Sequence, residues 1–448
     1  MLLMILLVVA ILFIIVTTAK FELHPFLALL ITAFGFGIAA GMPLQDVVKA
    51  VNDGFGGTIG YIGIVILAGS IIGTFLEKTG GAMTLAERTL RLTGEKNVPA
   101  AMSLVGYIVS IPVFCDSGFV LLSPLNKALA RKAGITLASS AIALSLGLYA
   151  THTMVPPTPG PVAAAGILKA DLGLVIFWGM VVAFFALIAG WLFAVLVASR
   201  TFISPDAEGD AVTTAASPPS FPSQPGFTKS VLPIVTPILL IVLRSVAELP
   251  TKPLGEGAII TFISFLGQPV VALLIGVALA MLLPKRLDKQ MISSTGWVGE
   301  AVVAAATIII ITGAGGAFGK ILQNSGIAKV IGDSLAGVPL GIWLPFIVAA
   351  GIKTAQGSST VSLITTASLM APLLPSLGLE SETAKALAVV AIGAGAMVVS
   401  HANDSYFWVV TRFSNMDVPT GYRLHTVGTF LEGMAAAVTL WILSQVLL

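Results

Sequence analysis

The chain alternates long apolar runs with short polar joints. Eight runs carry few or no charges over about 20 residues, the length a helix needs to cross hydrocarbon. They are 2–18, 23–42, 57–76, 172–198, 230–249, 258–283, 298–322 and 424–447. The first has no basic leader ahead of it and no small-residue cleavage site followed by a polar mature sequence, so it reads as a retained span and not as a signal peptide.

Four other regions are apolar at their ends and polar, Gly-rich or Pro-rich in the middle. In lipid, non-helical backbone survives only where protein or a water-filled cavity satisfies it. Residues 98–125 and 341–374 are therefore expected as re-entrant hairpins, and 135–167 and 384–410 as broken helices. Residues 201–228 are rich in Pro, Ser, Ala and acids and read as an aqueous linker. The linker separates a first unit, 1–200, from a second, 229–448. Each unit runs in the same order: three spans, a hairpin, a broken helix and a final span. Gly69, Gly73, Leu76 and Thr79-Gly80 align with Gly315, Gly319, Leu322 and Ser325-Gly326. The expected fold class is an all-α polytopic membrane protein of two inverted-topology repeats.

Each unit then crosses an odd number of times, and the distribution of basic residues tests the inversion. With the N-terminus outside, the inner side receives Lys20, Lys78, Arg88, Arg91, Lys96, Lys127, Arg131, Lys132, Arg200, Lys229, Lys285, Arg286, Lys289, Arg412 and Arg423. The outer side receives Lys49, Lys169, Lys252, Lys329 and Lys385. Fifteen against five places both termini outside and the linker in the cytoplasm. Arg244, Lys320 and Lys353 are left at membrane depth.

Composition agrees. The 448 residues are 56% hydrophobic and 10% charged, with mean hydropathy +1.01; a soluble domain carries about 25% charged residues. A net charge of +2 gives no case for nucleic acid. One cysteine, Cys115, excludes an internal disulfide and argues against a thiolate metal site. No cofactor or metal is expected.

The polar interruptions are the candidate chemistry. They contain Phe114-Cys-Asp-Ser-Gly118, Thr151-His-Thr-Met-Val-Pro-Pro-Thr158, Lys353-Thr-Ala-Gln-Gly-Ser-Ser-Thr360 and Ser400-His-Ala-Asn-Asp-Ser405. Unwound turns expose N–H groups at a half-helix N-terminus, which favour an anion. Freed carbonyls and carboxylates favour a cation or proton. The candidate substrate-binding residues are Ser117, Gly118, Thr151, Thr153, Thr158, Lys353, Gln356, Gly357, Ser358, Ser359, Thr360, Asn403 and Ser405. The candidate proton-coupling residues are Asp116, Asp404, His152 and His401, because ionisable groups inside a membrane are costly and usually functional. Plainer roles stand beside these. The carboxylates serve equally as helix caps, the histidines as donors that hold a turn, the hydroxyls as partners of their own i−4 carbonyls, and Lys353 as a snorkelling cation. Glu77 and Glu432 read as interfacial, and Glu300 and Arg244 each as a candidate for a structural pair. Gly313-Ala-Gly-Gly-Ala-Phe-Gly-Lys320 imitates a phosphate loop, but its spacing is off by one, Ile321 stands where Ser or Thr is needed, and it lies in an apolar run.

At these clusters the sequence resembles the gluconate:proton symporter family of the ion transporter superfamily. The resembling stretches are PVFCDSGFVLLSPL at 112–125, THTMVPPTPGPVAAAGIL at 151–168, AAGIKTAQGSSTVSLITTASLMAPLL at 349–374 and SHANDSYFW at 400–408. One departure is Tyr406, where the family typically has Gly after Asn-Asp-Ser. The resemblance implies a scaffold and a moving transport domain in a homodimer of the bacterial inner membrane. It also implies uptake of gluconate or a related hydroxy acid with protons, while relatives carry D-serine, glycerate or other sugar acids. Sodium coupling is the rival for the driving ion, because carbonyls with Asn, Ser and Asp side chains also suit Na⁺. No catalytic spacing points to an enzyme.

Overall fold

The computed structural model describes residues 2–93, 97–205, 224–248, 253–327, 330 and 340–448. Among them every regular element is helical. The first half consists of α1 (Leu2–Ala19), α2 (Pro25–Ala39), α3 (Leu44–Thr79), α4 (Gly81–Thr93), α5 (Val98–Val109), α6 (Cys115–Ala133), α7 (Leu137–Met154), α8 (Pro159–Leu168) and α9 (Leu172–Leu196). The second consists of α10 (Phe227–Ala247), α11 (Ala258–Leu266), α12 (Pro269–Ala280), α13 (Trp297–Asn324), α14 (Trp343–Gln356), α15 (Ser359–Met370), α16 (Glu382–Gly395), α17 (Ser405–Phe413) and α18 (Val427–Leu447). Most of the expected linker, residues 206–223, lies outside the described residues, as do Lys96, Lys252 and Lys329.

Among the described residues, four helical stretches are long and apolar enough to cross a membrane: Leu172–Arg200, Phe227–Ala247, Trp297–Asn324 and Val418–Leu447. Helix α3 reaches 36 residues because Gly57–Leu76 is only its apolar part; Asp46, Lys49 and Asp53 extend it by several turns. Its end is set by Gly80, at φ 78°, a left-handed conformation that glycine adopts without penalty. The expected span at 258–283 is two helices, α11 and α12, bent by 64°. Gly267 caps the first, and Pro269 starts the second because it lacks an N–H to continue the ladder. The expected span at 23–42 is a helix of 15 residues that starts at Pro25.

All four expected interruptions are present as breaks between helices. Residues 110–114 separate α5 from α6, and 155–158 separate α7 from α8. Residues 357–358 separate α14 from α15, and 396–404 separate α16 from α17. Pro156, Pro157 and Pro159 account for the second of these. Three helices beside the breaks are deeply enclosed: every residue of α7 is buried, as are nearly all of α15 and most of α16. The pairing of α5 with α7 and of α7 with α9 recurs in the second half as α14 with α16 and α16 with α18.

The broadest helix contact is between α3 and α13, and glycine explains it. A Cβ on Gly54 would lie 2.5 Å from the Gly316 carbonyl, and one on Gly316 would strike Thr58. The run that imitates a phosphate loop is thus the small-residue face of one continuous helix, pressed onto its neighbour backbone to backbone. Helices α5 and α7 meet the same way. A Cβ on Gly106 would lie 2.6 Å from the Leu148 nitrogen, and one on Gly147 would strike the Ser103 carbonyl.

Glu300 pairs with Lys78 at 2.7 Å and Arg244 with Glu248 at 2.9 Å, so each forms a structural pair. The i,i+4 spacing at the end of α10 gives Arg244 its partner. One expected charge placement is overturned. Glu432 is not interfacial: it is fully buried, because α18 turns that face toward α7, α9 and α16.

Gly147→Ala is expected to destabilise the protein by about 1–3 kcal/mol through overpacking, while Gly56→Ala, which faces open space, leaves stability unchanged. Melting followed by size-exclusion in detergent checks both.

Candidate functional site

The site is built where two breaks of the second half and helix α7 of the first converge on one carboxylate. Lys353 lies in the last turn of α14 and is fully buried. Its ammonium donates to Asp404 Oδ2 at 2.6 Å and also to the Gly357 carbonyl. Asp404 is the N-cap of α17, with Oδ1 accepting the Tyr406 N–H at 3.0 Å. The lysine thus sits at a helix C-terminus and the aspartate at a helix N-terminus, so both macrodipoles stabilise the charges they face. Taking two such charges out of water costs several kcal/mol each, which only close pairing and further hydrogen bonds offset. Asp404 Oδ2 takes two more donors: Ser400 Oγ at 2.5 Å and, from α7, Tyr149 OH at 3.3 Å. Tyr149 OH also lies 2.6 Å from Ser359 Oγ at the start of α15. Four elements from both halves of the chain therefore meet at one carboxylate.

Gly357 makes the approach possible. Its φ is +90°, and a Cβ there would strike the Asn403 carbonyl; only glycine fits. Ser358 caps α15, its Oγ accepting from the Val361 N–H at 3.3 Å. The break before α17 is tied to the one after α14 by a shared acceptor. His401 Nε2 donates to the Thr354 carbonyl at 2.8 Å, and Asn403 Nδ2 to the same oxygen at 3.0 Å. Behind the break, the Ser400 N–H donates to Thr429 Oγ1 at 3.1 Å, and Thr426 Oγ1 donates to the Ser400 carbonyl at 2.5 Å. Val399 is held at φ 54° between these anchors, a costly conformation for a β-branched residue.

Asp116 lies at the edge of this cluster, half-buried in the first turn of α6. Its Oδ1 accepts from Ser405 Oγ at 3.5 Å, and the Cys115 thiol lies 3.8 Å from Oδ2. His152 is buried between the rings of Phe114 (centroids 5.9 Å apart) and Tyr149 (6.5 Å), and its Nδ1 has no partner among the described residues. Asn403 and Ser405 are exposed.

The remaining predicted residues stand further out. Thr151 donates to the Tyr107 carbonyl at 3.0 Å, Thr153 to Tyr149 at 3.2 Å and Thr158 to Val155 at 2.6 Å. Thr153 bonds its own i−4 carbonyl and Thr158 its i−3 carbonyl, whereas Thr151 ties α7 across to α5. Gly118 packs on Leu148, and Thr360 lies beside Gly160 of α8. Ser117 is half-buried next to Asp116. The side chain of Gln356 lies outside the described residues. The snorkelling reading of Lys353 does not hold, because its ammonium is sealed inside.

Sequence reasoning missed Tyr149, Ser400 and His425. His425 Nε2 lies 3.1 Å from Ser400 Oγ, which itself donates to Asp404. The available signal was the scarcity of histidine: there are four in the chain, and three of them border the breaks. Tyr406, the departure noted above, is buried behind Asp404. Its ring lies 5.0 Å from that of Tyr149, and its hydroxyl donates to the Ser145 carbonyl at 2.9 Å.

Large clefts lie elsewhere. Two, of about 790 and 720 Å³, flank α8 and share Tyr61, Gly166 and Lys169. Neither is lined by residues of the four breaks.

A helical membrane protein whose unwound segments meet at a buried ion pair has the build of a carrier. The particular family follows from comparison: the model of the GntP family permeases matches residues 1–446, and the chain belongs to that family. It is similar to the gluconate permease of Pseudomonas aeruginosa, 35% identical over 445 residues (98% of this chain, 97% of that one). It is also similar to the D-serine transporter DsdX of Escherichia coli (strain K12), 32% identical over 444 residues and 98% of each chain. Its fold resembles that of the YdaH transporter of Alcanivorax borkumensis, with a TM-score of 0.65 over 94% of this chain and 98% of that one, at 16% identity. The family resemblance read from the four motifs is thereby established, and the chain is a permease and not an enzyme.

Removing one partner of the ion pair strands the other. Lys353→Met and Asp404→Asn are each expected to cost about 3–5 kcal/mol, and the double variant to recover most of that loss. A thermal-melt double-mutant cycle measures it.

Proposed function

We propose that the protein imports gluconate or a related small hydroxy-carboxylate by proton symport, with alternating access. The substrate class rests on the relatives, which are named as gluconate permeases and D-serine transporters. The observation that carries the mechanism is the buried Lys353–Asp404 pair.

The pair acts as an exchange device. In the empty carrier, Lys353 and Asp404 neutralise each other. A proton on Asp404 releases the ammonium, and the substrate carboxylate takes its place. The loaded unit holds one ammonium, one neutral acid and one carboxylate, so its net charge equals that of the empty unit. A charged substrate thereby crosses the hydrophobic barrier without adding charge to this unit. A carboxylate arriving without its proton would leave two anions facing one cation, which the desolvated site disfavours. Asp116, at the exposed edge, passes the proton inward past Ser405. Asn403, in the break before α17, and Ser358, at the start of α15, hydrogen-bond substrate hydroxyls.

The two halves, 1–200 and 229–448, form an inverted repeat in this reading, with 98–125 and 341–374 as re-entrant hairpins. The matching order of breaks and the recurring helix pairs support it. The hairpins and broken helices move together against the outer spans in each subunit of a homodimer, with both termini outside the inner membrane.

The test is gluconate uptake into proteoliposomes. Accumulation follows an imposed pH gradient in sodium-free buffer; accumulation that requires sodium instead overturns proton symport. Asp116→Asn is expected to reduce gradient-driven accumulation at least about tenfold, the scale of a lost proton-transfer group. Counterflow should persist in that variant.

A further inference from the structure

We propose that the hydroxyls of Tyr149 and Ser359 form a hydrogen-bond relay that reverses direction when Asp404 takes its proton, freeing the Ser359 hydroxyl to donate to the substrate carboxylate. The inference deepens the proton-coupled reading above and rests on it.

Valence fixes the direction of each bond in the empty carrier. An ionised carboxylate only accepts, and a hydroxyl has one proton to give. Tyr149 OH donates to Asp404 Oδ2 at 3.3 Å. Its proton is then used, so in the 2.6 Å contact between the two hydroxyls Ser359 donates and Tyr149 accepts. Ser359 Oγ has no other partner among the described residues. In the empty carrier its proton is therefore committed to Tyr149.

Protonating Asp404 changes the direction. The new O–H must find an acceptor. Lys353 has none, and Oδ1 faces another donor, the Tyr406 N–H. Two hydroxyls on Oδ2 remain, Ser400 and Tyr149. The Ser400 arm is locked. Ser400 gives its proton to Asp404 at 2.5 Å, so its 3.1 Å contact with His425 requires the ring N–H at Nε2. Reversing that arm would move the imidazole proton to Nδ1 inside a sealed pocket. The Tyr149 arm reverses by rotation of O–H bonds, and no proton leaves its oxygen. Asp404 then donates to Tyr149, Tyr149 donates to Ser359, and the Ser359 proton is released.

The released proton lies where an anion arrives. Ser359 is the first residue of α15, two residues after Gly357, whose carbonyl holds the Lys353 ammonium. A carboxylate drawn to that ammonium meets the Ser359 hydroxyl and the N-terminus of α15, which also favours an anion. One proton on Asp404 thereby frees two donors together, Lys353 and Ser359. The Tyr149 ring itself stays in place: it lies 5.0 Å from the Tyr406 ring and 6.5 Å from that of His152, with the Lys353 ammonium 5.9 Å from its centroid.

Other titratable and charged groups surround the relay. Tyr107 of α5 is bonded to the Met180 carbonyl at 2.7 Å, and Tyr406 of α17 to the Ser145 carbonyl. His401 is held on the Thr354 carbonyl, and Glu382 and Lys385 of α16 pair with each other. The rest are Cys115 and Asp116 of α6, His152 of α7, Lys353 of α14, Arg412 of α17, His425, and Glu432 of α18. Helices α8, α9 and α15 carry none. Among the described residues Tyr149 OH bonds only Asp404 and Ser359, so Asp404 sets the direction.

The test is equilibrium binding of radiolabelled gluconate to the purified protein at mildly acid and mildly alkaline pH. Wild type should bind more tightly in acid, because the loaded carrier holds one more proton than the empty one. Ser359→Ala removes the released donor and should weaken acid binding about tenfold, the scale of one hydrogen bond to a charged group. Tyr149→Phe keeps the ring and leaves Ser359 free to donate at any pH. Its ratio of alkaline to acid dissociation constants should fall at least about fivefold below that of wild type, a change in pH profile that a packing role would not produce. Wild-type acid binding by Ser359→Ala overturns the relay, as does a wild-type ratio in Tyr149→Phe, or a folded Tyr149→Phe that binds at neither pH. In each of these cases pH-dependent binding by wild type leaves the proton-coupled reading standing. Wild-type affinity that ignores pH overturns that reading and the relay with it. If Tyr149→Phe does not fold, Ser359→Ala decides.

Discussion

The ion pair between Lys353 and Asp404 determines how the interior is built. A cation and an anion in a membrane interior need each other, and they also need dipoles and donors that regular helix cannot offer. The chain meets that need by stopping four helices close to the pair. One ends at Gly357 behind the ammonium, and one begins at Asp404 beneath the carboxylate. Tyr149 and Ser359 come from two further helices to complete the coordination. The breaks, the glycine at φ +90° and the strained Val399 are consequences of holding two charges where water is absent.

Most of this arrangement was legible in the sequence because the hydrophobic pattern reports interruptions directly. Polar residues amid apolar runs marked the four breaks, and Pro156, Pro157 and Gly357 marked where helix stops, while Gly118 lies inside α6. Asp404 and Lys353 stood out as charges at membrane depth. What did not follow was which charge met which. Lys353 and Asp404 are 51 residues apart, and nothing in local pattern distinguishes an ammonium waiting for substrate from one already paired. Tyr149 was hidden because an aromatic residue in a wholly buried helix looks like packing. His425 and Glu432 were hidden because the last span reads as an ordinary apolar helix, with one charged residue close enough to a joint to seem interfacial. Helix lengths were the other weak point: hydropathy registered the apolar part of α3 and missed its polar turns, and it ran through the bend at Gly267–Pro269.

Function and volume are separated in this molecule. The two large clefts beside α8 are open and mixed in charge, with Lys169, Asp171, Arg244 and Glu248 along one of them. The breaks after α14 and before α17 meet away from both, around a carboxylate that is nearly sealed. A carrier in a single conformation has reason to look like this. The polar groups are satisfied by one another, and the open space lies beside α8.

The glycine seam between α3 and α13 has a mechanical meaning. Where Gly54 meets Gly316 the two main chains touch with no side chains between them, so there are no rotamers to trade as the helices shift. Sliding at that joint would drive backbone into backbone. Large displacements must then be taken up at the thin joints between helices, such as Gly80 after α3, Gly134 after α6 and Lys169–Asp171 after α8. Three of these joints already hold a left-handed residue, at Gly80, Gly134 and Lys169, and so serve as the places where the chain can turn without unwinding a helix.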